Sequence, residues 1–197
     1  IAAQYFTDAR MMFSDPVLKL KEPGWLTDYE SILYKGFAEK TAFHLSQKNY
    51  SKALSYLTEI QDHYASNPEY SLPDQYYEWM KQARAGIYLQ LLDRANNLMK
   101  ADEMTESEQV YLQAVEIRSS NGYHIEKNIL EARLETVFRQ THYDEFYEEG
   151  LRNFQKNEFS SSLYYFNKAD YIEKSGGISS LQPLLEQYRR ESARQVI

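Results

Sequence analysis

The sequence predicts an all-α fold, a superhelix of antiparallel helical hairpins, and three observations carry that reading. Apolar residues recur every three or four positions, and no period-2 alternation competes with them. Chain breakers are scarce, 7 Gly and 5 Pro in 197 residues, and they gather in a few places. Three short segments repeat one order of large and small side chains at spacings of 54 and 55 residues.

Between the breakers, helices are expected near 1–13, 26–48, 51–66, 73–101, 105–120, 123–140, 142–156, 159–174 and 178–195. Ser14-Asp15-Pro16 and Glu22-Pro23-Gly24 bracket the first loop. Ser66-Asn67-Pro68 through Leu72-Pro73, Ser119-Ser120-Asn121-Gly122 and Ser175-Gly176-Gly177 mark the others. After Pro73, which suits the first turn of a helix, Tyr76, Met80, Ala83, Ile87, Leu91, Ala95 and Leu98 form one helical face. Tyr88, Leu92 and Met99 make a second stripe beside it, as on a helix packed between neighbours. Thr141 ahead of Asp144 and Glu145 reads as an N-cap with acids in the first turn, which places a break between 123–140 and 142–156.

The repeat begins at Tyr50, Met104 and Phe159. Each is followed three residues on by Ala53, Ser107 or Ser162, then by Leu57, Tyr111 or Phe166, and then by Ile60, Ala114 or Ala169. Small residues let two helices approach, and the large ones fill the groove between them, as in a tight helical hairpin. Gly150, Phe159, Ser162, Phe166 and Ala169 together resemble a tetratricopeptide repeat (TPR). Lys48-Asn49-Tyr50-Ser51-Lys52-Ala53-Leu54 resembles the turn of the same hairpin. Ala95, Met104, Ser107, Tyr111 and Ala114 supply a middle copy.

The family's period is about 34 residues, so the spacing here departs from it: either each first helix is elongated or a third helix is inserted between hairpins, and the unbroken 73–101 stripe favours elongation in the second unit. The resemblance implies a single domain over 1–197, with repeats near 35–68, 89–121 and 144–175 and a capping helix near 178–195. By the same resemblance, partner binding falls on the first-helix face: Leu92, Asn96, Lys100, Tyr147, Leu151 and Gln155, beside Ala38, Ala42 and Leu45.

Composition narrows the chemistry. With no cysteine, disulfides, thiolate metal sites and cysteine nucleophiles are excluded. A net charge of −7 argues against nucleic acid or an anionic membrane as the main partner. No apolar run approaches the roughly 20 residues of a membrane span, and no signal-peptide pattern appears. The chain opens on Ile1, as expected of a trimmed or processed form, which leaves cytoplasm and periplasm both open.

His44, His63, His124 and His142 lie in separate segments without helical metal-site spacing, so no metal, cofactor or catalytic residue is expected. The acids Asp144, Glu145, Glu148 and Glu149 read as a solvated first turn, and Arg189, Arg190 and Arg194 suit the negative end of the last helix.

The aromatic surplus is the feature richest in function: 18 Tyr, 9 Phe and 2 Trp. Runs such as Tyr164-Tyr165-Phe166 place rings about 100° apart around a helix, so one buried face cannot take them all. The expectation is a non-enzymatic scaffold binding a protein partner, as peptide or helix, in an aromatic-rich groove. Its rival is a helical small-molecule sensor serving as the input domain of a larger protein.

Overall fold

A computed structural model describes residues 24–65, 72–120, 123–176 and 184–196. Among the described residues there are seven α-helices and no strand: α1 Gly24–Ser46, α2 Tyr50–Ala65, α3 Asp74–Lys100, α4 Met104–Ser119, α5 Ile129–Gln155, α6 Phe159–Gly176 and α7 Leu185–Val196. The all-α expectation holds. The helix expected near 1–13 lies outside the described residues.

The chain forms two compact units: Ile1–Gln90 with Ile117–Ile125, and Leu91–Glu116 with Glu126–Ile197. In the first, α1 and α2 pack as an antiparallel hairpin and the first part of α3 joins them. Its core is Leu45, Ala53, Leu57, Ile60, Tyr76, Met80 and Ala83, flanked by half-buried rings that include Tyr34, Phe37, Tyr50 and Trp79. Gly86 makes the close approach possible. A Cβ there would stand 2.3 Å from the Tyr50 ring, and Gln90 adds a hydrogen bond of 3.2 Å to the Lys48 carbonyl.

The second unit is organised by α5. Its first half buries Leu134 and Phe138, with Phe138 against Tyr111 of α4 at 5.1 Å between rings. Its second half buries Tyr143 and Tyr147, and the latter lies 5.9 Å from Phe166 of α6. Gly150 meets the Phe166 ring so closely that a Cβ would lie 2.6 Å from it. From α7, Tyr188 stacks on Phe166 at 5.8 Å and meets Phe154 edge-on at 5.2 Å.

The three corners are built alike. Lys48, Asp102 and Asn157 adopt φ of 56°, 64° and 61°, the left-handed conformation that ends a helix. At each, the next residue's N–H bonds the carbonyl five back: Asn49 to His44, Glu103 to Leu98, Glu158 to Asn153, at 2.9 to 3.0 Å. The left-handed residue's own N–H bonds the carbonyl three back, on Leu45, Met99 and Phe154. The carbonyls of Asn49, Glu103 and Glu158 then accept from Ala53, Ser107 and Ser162, opening the next helix at once. The same backbone hydrogen bonds therefore recur at each corner, and they satisfy several of the carbonyls that the preceding helix leaves without an intrahelical partner.

Two sequence expectations need correction. The break at Thr141 does not exist: α5 runs unbroken for 27 residues, and the Thr141 hydroxyl donates to the Val137 carbonyl at 3.1 Å as a mid-helix threonine. The true start lies later than 123, at Asn128, whose extended backbone (φ −76°, ψ 149°) and side chain, accepting from Leu130 N–H at 2.8 Å, make it the N-cap. Asp144, Glu145, Glu148 and Glu149 are consequently mid-helix residues, not a first turn. The unbroken stripe expected over 73–101 is one helix, α3, of 27 residues.

Candidate functional site

The polar clusters come first, because chemistry would require them. In the second unit, His142 lies between two carboxylates, Nε2 at 2.8 Å from Glu108 and Nδ1 at 3.3 Å from Glu145. The hydrogen bond with Glu108 raises the imidazole above its ordinary value of 6.5, partial burial opposes this, and the charges of both acids add to the rise. The pair belongs to the surface, with the His142 side chain 40% exposed.

In the first unit, the Tyr76 hydroxyl donates to Gln61 at 3.0 Å. Burial, helped by neighbouring Tyr123, holds its phenol well above the usual value of 10. Arg84 donates to the Ser120 hydroxyl at 2.6 Å and lays its guanidinium 5.0 Å over the Tyr123 ring. Fifty-five residues on, Arg139 donates to the Ser175 carbonyl at 3.5 Å. Each arginine thus ties a long helix to the end of the helix that follows. Among the described residues no cluster of three or more His, Asp or Glu could hold a metal ion.

Of the six residues expected to bind a partner, Leu92 is fully buried and Tyr147 is 6% exposed, so both are covered by their own chain. Leu151 is half-buried against the second unit's core. Asn96 accepts a hydrogen bond from Arg133. Lys100 and Gln155 are exposed at the ends of α3 and α5. The six do not form one free surface.

What sequence reasoning missed is a ring pair that the two units share. In the first, Phe37 of α1 lies 6.3 Å from Tyr56 of α2, tilted 39°. In the second, Phe146 of α5 lies 6.4 Å from Tyr165 of α6, tilted 31°. Both members are displaced by 109 residues (146 − 37 and 165 − 56), the sum of the two repeat spacings. The middle copy has Leu91 and Val110 at these positions.

Cations cover both pairs. The Lys40 and Lys52 ammonium groups stand 5.4 and 5.2 Å from the Tyr56 ring centre. Lys168 stands 4.9 Å over Phe146 and 4.6 Å over Tyr164. Phe43 of α1 and Tyr164 and Tyr171 of α6 are 60%, 55% and 73% exposed. The signal available in the sequence was the shared 109-residue offset of two Phe–Tyr pairs.

Such half-buried rings with charged rims suit protein contact. Among the described residues no helix is long and apolar enough to cross a membrane. Searches against family models, curated proteins and solved structures found no match to this chain.

Proposed function

We propose that the chain is a non-enzymatic interaction scaffold: a TPR-like superhelix of hairpins with elongated first helices, which holds a peptide or helix of a protein partner. The observation that carries this reading is the corner built three times with the same backbone bonds at Lys48, Asp102 and Asn157. A repeat keeps its inward positions for packing and leaves its outward ones free to diversify for binding. The half-buried Phe37 and Tyr56 return as Phe146 and Tyr165, whereas the middle copy has Leu91 and the buried Val110.

Photo-crosslinking tests the proposal. A benzophenone side chain replaces Phe43, Tyr164 or Tyr171 in turn, all well exposed, and adducts formed in the native cell are identified by mass spectrometry. Defined protein adducts from at least one position are expected. No adduct at any of the three overturns the scaffold, and a metabolite that raises the melting midpoint would put a ligand sensor in its place.

A further inference from the structure

We propose that the α1–α2 face of the first unit, formed by Lys40, Phe43, His44, Lys52 and Tyr56, is a docking surface for an acidic peptide segment of a protein partner. The segment presents an aromatic or large apolar side chain flanked by carboxylates. This rests on the scaffold reading and names the chemistry of its partner.

The surface is assembled from two helices. Lys40 on α1 and Lys52 on α2 converge on the Tyr56 ring at 5.4 and 5.2 Å. His44 stacks on the same ring at 5.5 Å and 22°, and Phe43 meets His44 edge-on at 5.3 Å. Phe43 itself is 60% exposed. A ring or branched side chain resting on Phe43 and His44 would adjoin the Tyr56 ring that both ammonium groups approach.

Charge selects the partner. In the second unit, six cations are matched by acids: Lys127 and Arg139 with Glu135, Arg152 with Glu149, Lys174 and Arg189 with Asp170, Arg190 with Glu186. Lys40 and Lys52 make no ion pair among the described residues. Glu39 and Glu59, the nearest acids along the same two helices, do not neutralise them. Residues 34–65 carry four lysines against Glu39, Glu59 and Asp62, a net of +1 in a chain of −7. A cation's hold on a ring is weak at an exposed site, so either lysine can turn to a carboxylate without leaving a buried charge. The patch is too small for a polyanion. Nucleic acid and anionic membranes need several basic groups in a row and would be repelled by the rest of the molecule.

The test uses the full chain and a fluorescent twelve-residue peptide of Asp and Glu around a central Leu-Phe pair, read by anisotropy. Two control peptides carry Lys in place of the acids or Ala in place of Leu-Phe. The acidic peptide is expected to bind, both controls to fail, and the affinity to fall with added salt. Lys40→Gln with Lys52→Gln should weaken binding about tenfold, while Lys168→Gln leaves it unchanged. Melting curves confirm that the variants stay folded.

Three results overturn the proposal: no binding of the acidic peptide, equal binding of either control, or equal loss in Lys168→Gln. If the acidic peptide fails while benzophenone at Tyr164 or Tyr171 still captures a protein, the docking chemistry is refuted and the scaffold stands.

Discussion

The hydroxyl of Ser162 donates to the carbonyl oxygen of Gly150 at 3.0 Å, twelve residues back across the α5–α6 corner. Ser107 does the same to Ala95 at 2.7 Å, also twelve back. In the first hairpin Ala53 stands in the serine's place, and the residue twelve back is the buried Thr41. Ser162 is fully buried and also meets the Ser192 hydroxyl of α7 at 3.1 Å. Ser162→Leu should therefore overpack three helices and cost about 1–3 kcal/mol. Ser162→Ala, which only strips the hydrogen bonds, should cost about 1 kcal/mol. Thermal melting of the two variants gives the order, and an unchanged midpoint for the leucine would refute the packing.

Two helical glycines should respond in opposite directions. At Gly86 an added methyl would fall 2.3 Å from the Cγ of Tyr50, the atom nearest its backbone and least able to swing aside. Gly86→Ala is expected to destabilise by roughly 1–3 kcal/mol. Gly36 has nothing within 4 Å of the same position. Gly36→Ala should stabilise by about 0.5–1 kcal/mol through helix propensity. Chemical denaturation of the pair checks both signs.

The corners offer a graded series. Lys48 and Asp102 sit at positive φ despite their side chains, so Lys48→Gly and Asp102→Gly should each raise stability, by up to about 1 kcal/mol. Asn157→Gly should gain least, because asparagine tolerates the left-handed region well. Equal shifts in the three melting midpoints would contradict the conformational argument.

His142 supplies a pH dependence. Its folded-state value is raised above 6.5, chiefly by the hydrogen bond with Glu108. The stabilisation is thus fully present below the unfolded value and is lost as pH rises through the raised folded one. With the side chain 40% exposed, screening by water holds the effect to about 1 kcal/mol at most. Urea unfolding at about pH 5.5 and about pH 9 should show a larger loss in the wild type than in His142→Gln. Parallel behaviour would remove the pair from the energetics.

The helices and corners were legible because they depend on local signals. Tyr50, Met104 and Phe159 announce the corner, and buried Ser107 and Ser162 confirm the small contact position. The unity of α5 was hidden by a change of phase. Its buried side chains step from Leu134 to Phe138, jump five residues to Tyr143, and resume at Tyr147, which turns the covered face by about 140°. That jump mimics the end of one helix and the start of another. The same jump from Ala83 to Tyr88 explains why Leu92 is buried. A groove position transferred from a shorter repeat falls on the inward side. Pairings such as Phe37 with Tyr56 could be reached only through the 109-residue offset they share with Phe146 and Tyr165, since the register between two helices is contained in no single helix's periodicity.

The five-residue jump from Phe138 to Tyr143 has a genetic consequence. A point change there alters one contact, but a single inserted or deleted codon would rotate every later side chain of α5 by about 100° against its neighbours. Tyr147, Gly150 and Asn153 would be swung out of the interior together. Length in this stretch should therefore be far less tolerant of drift than spelling.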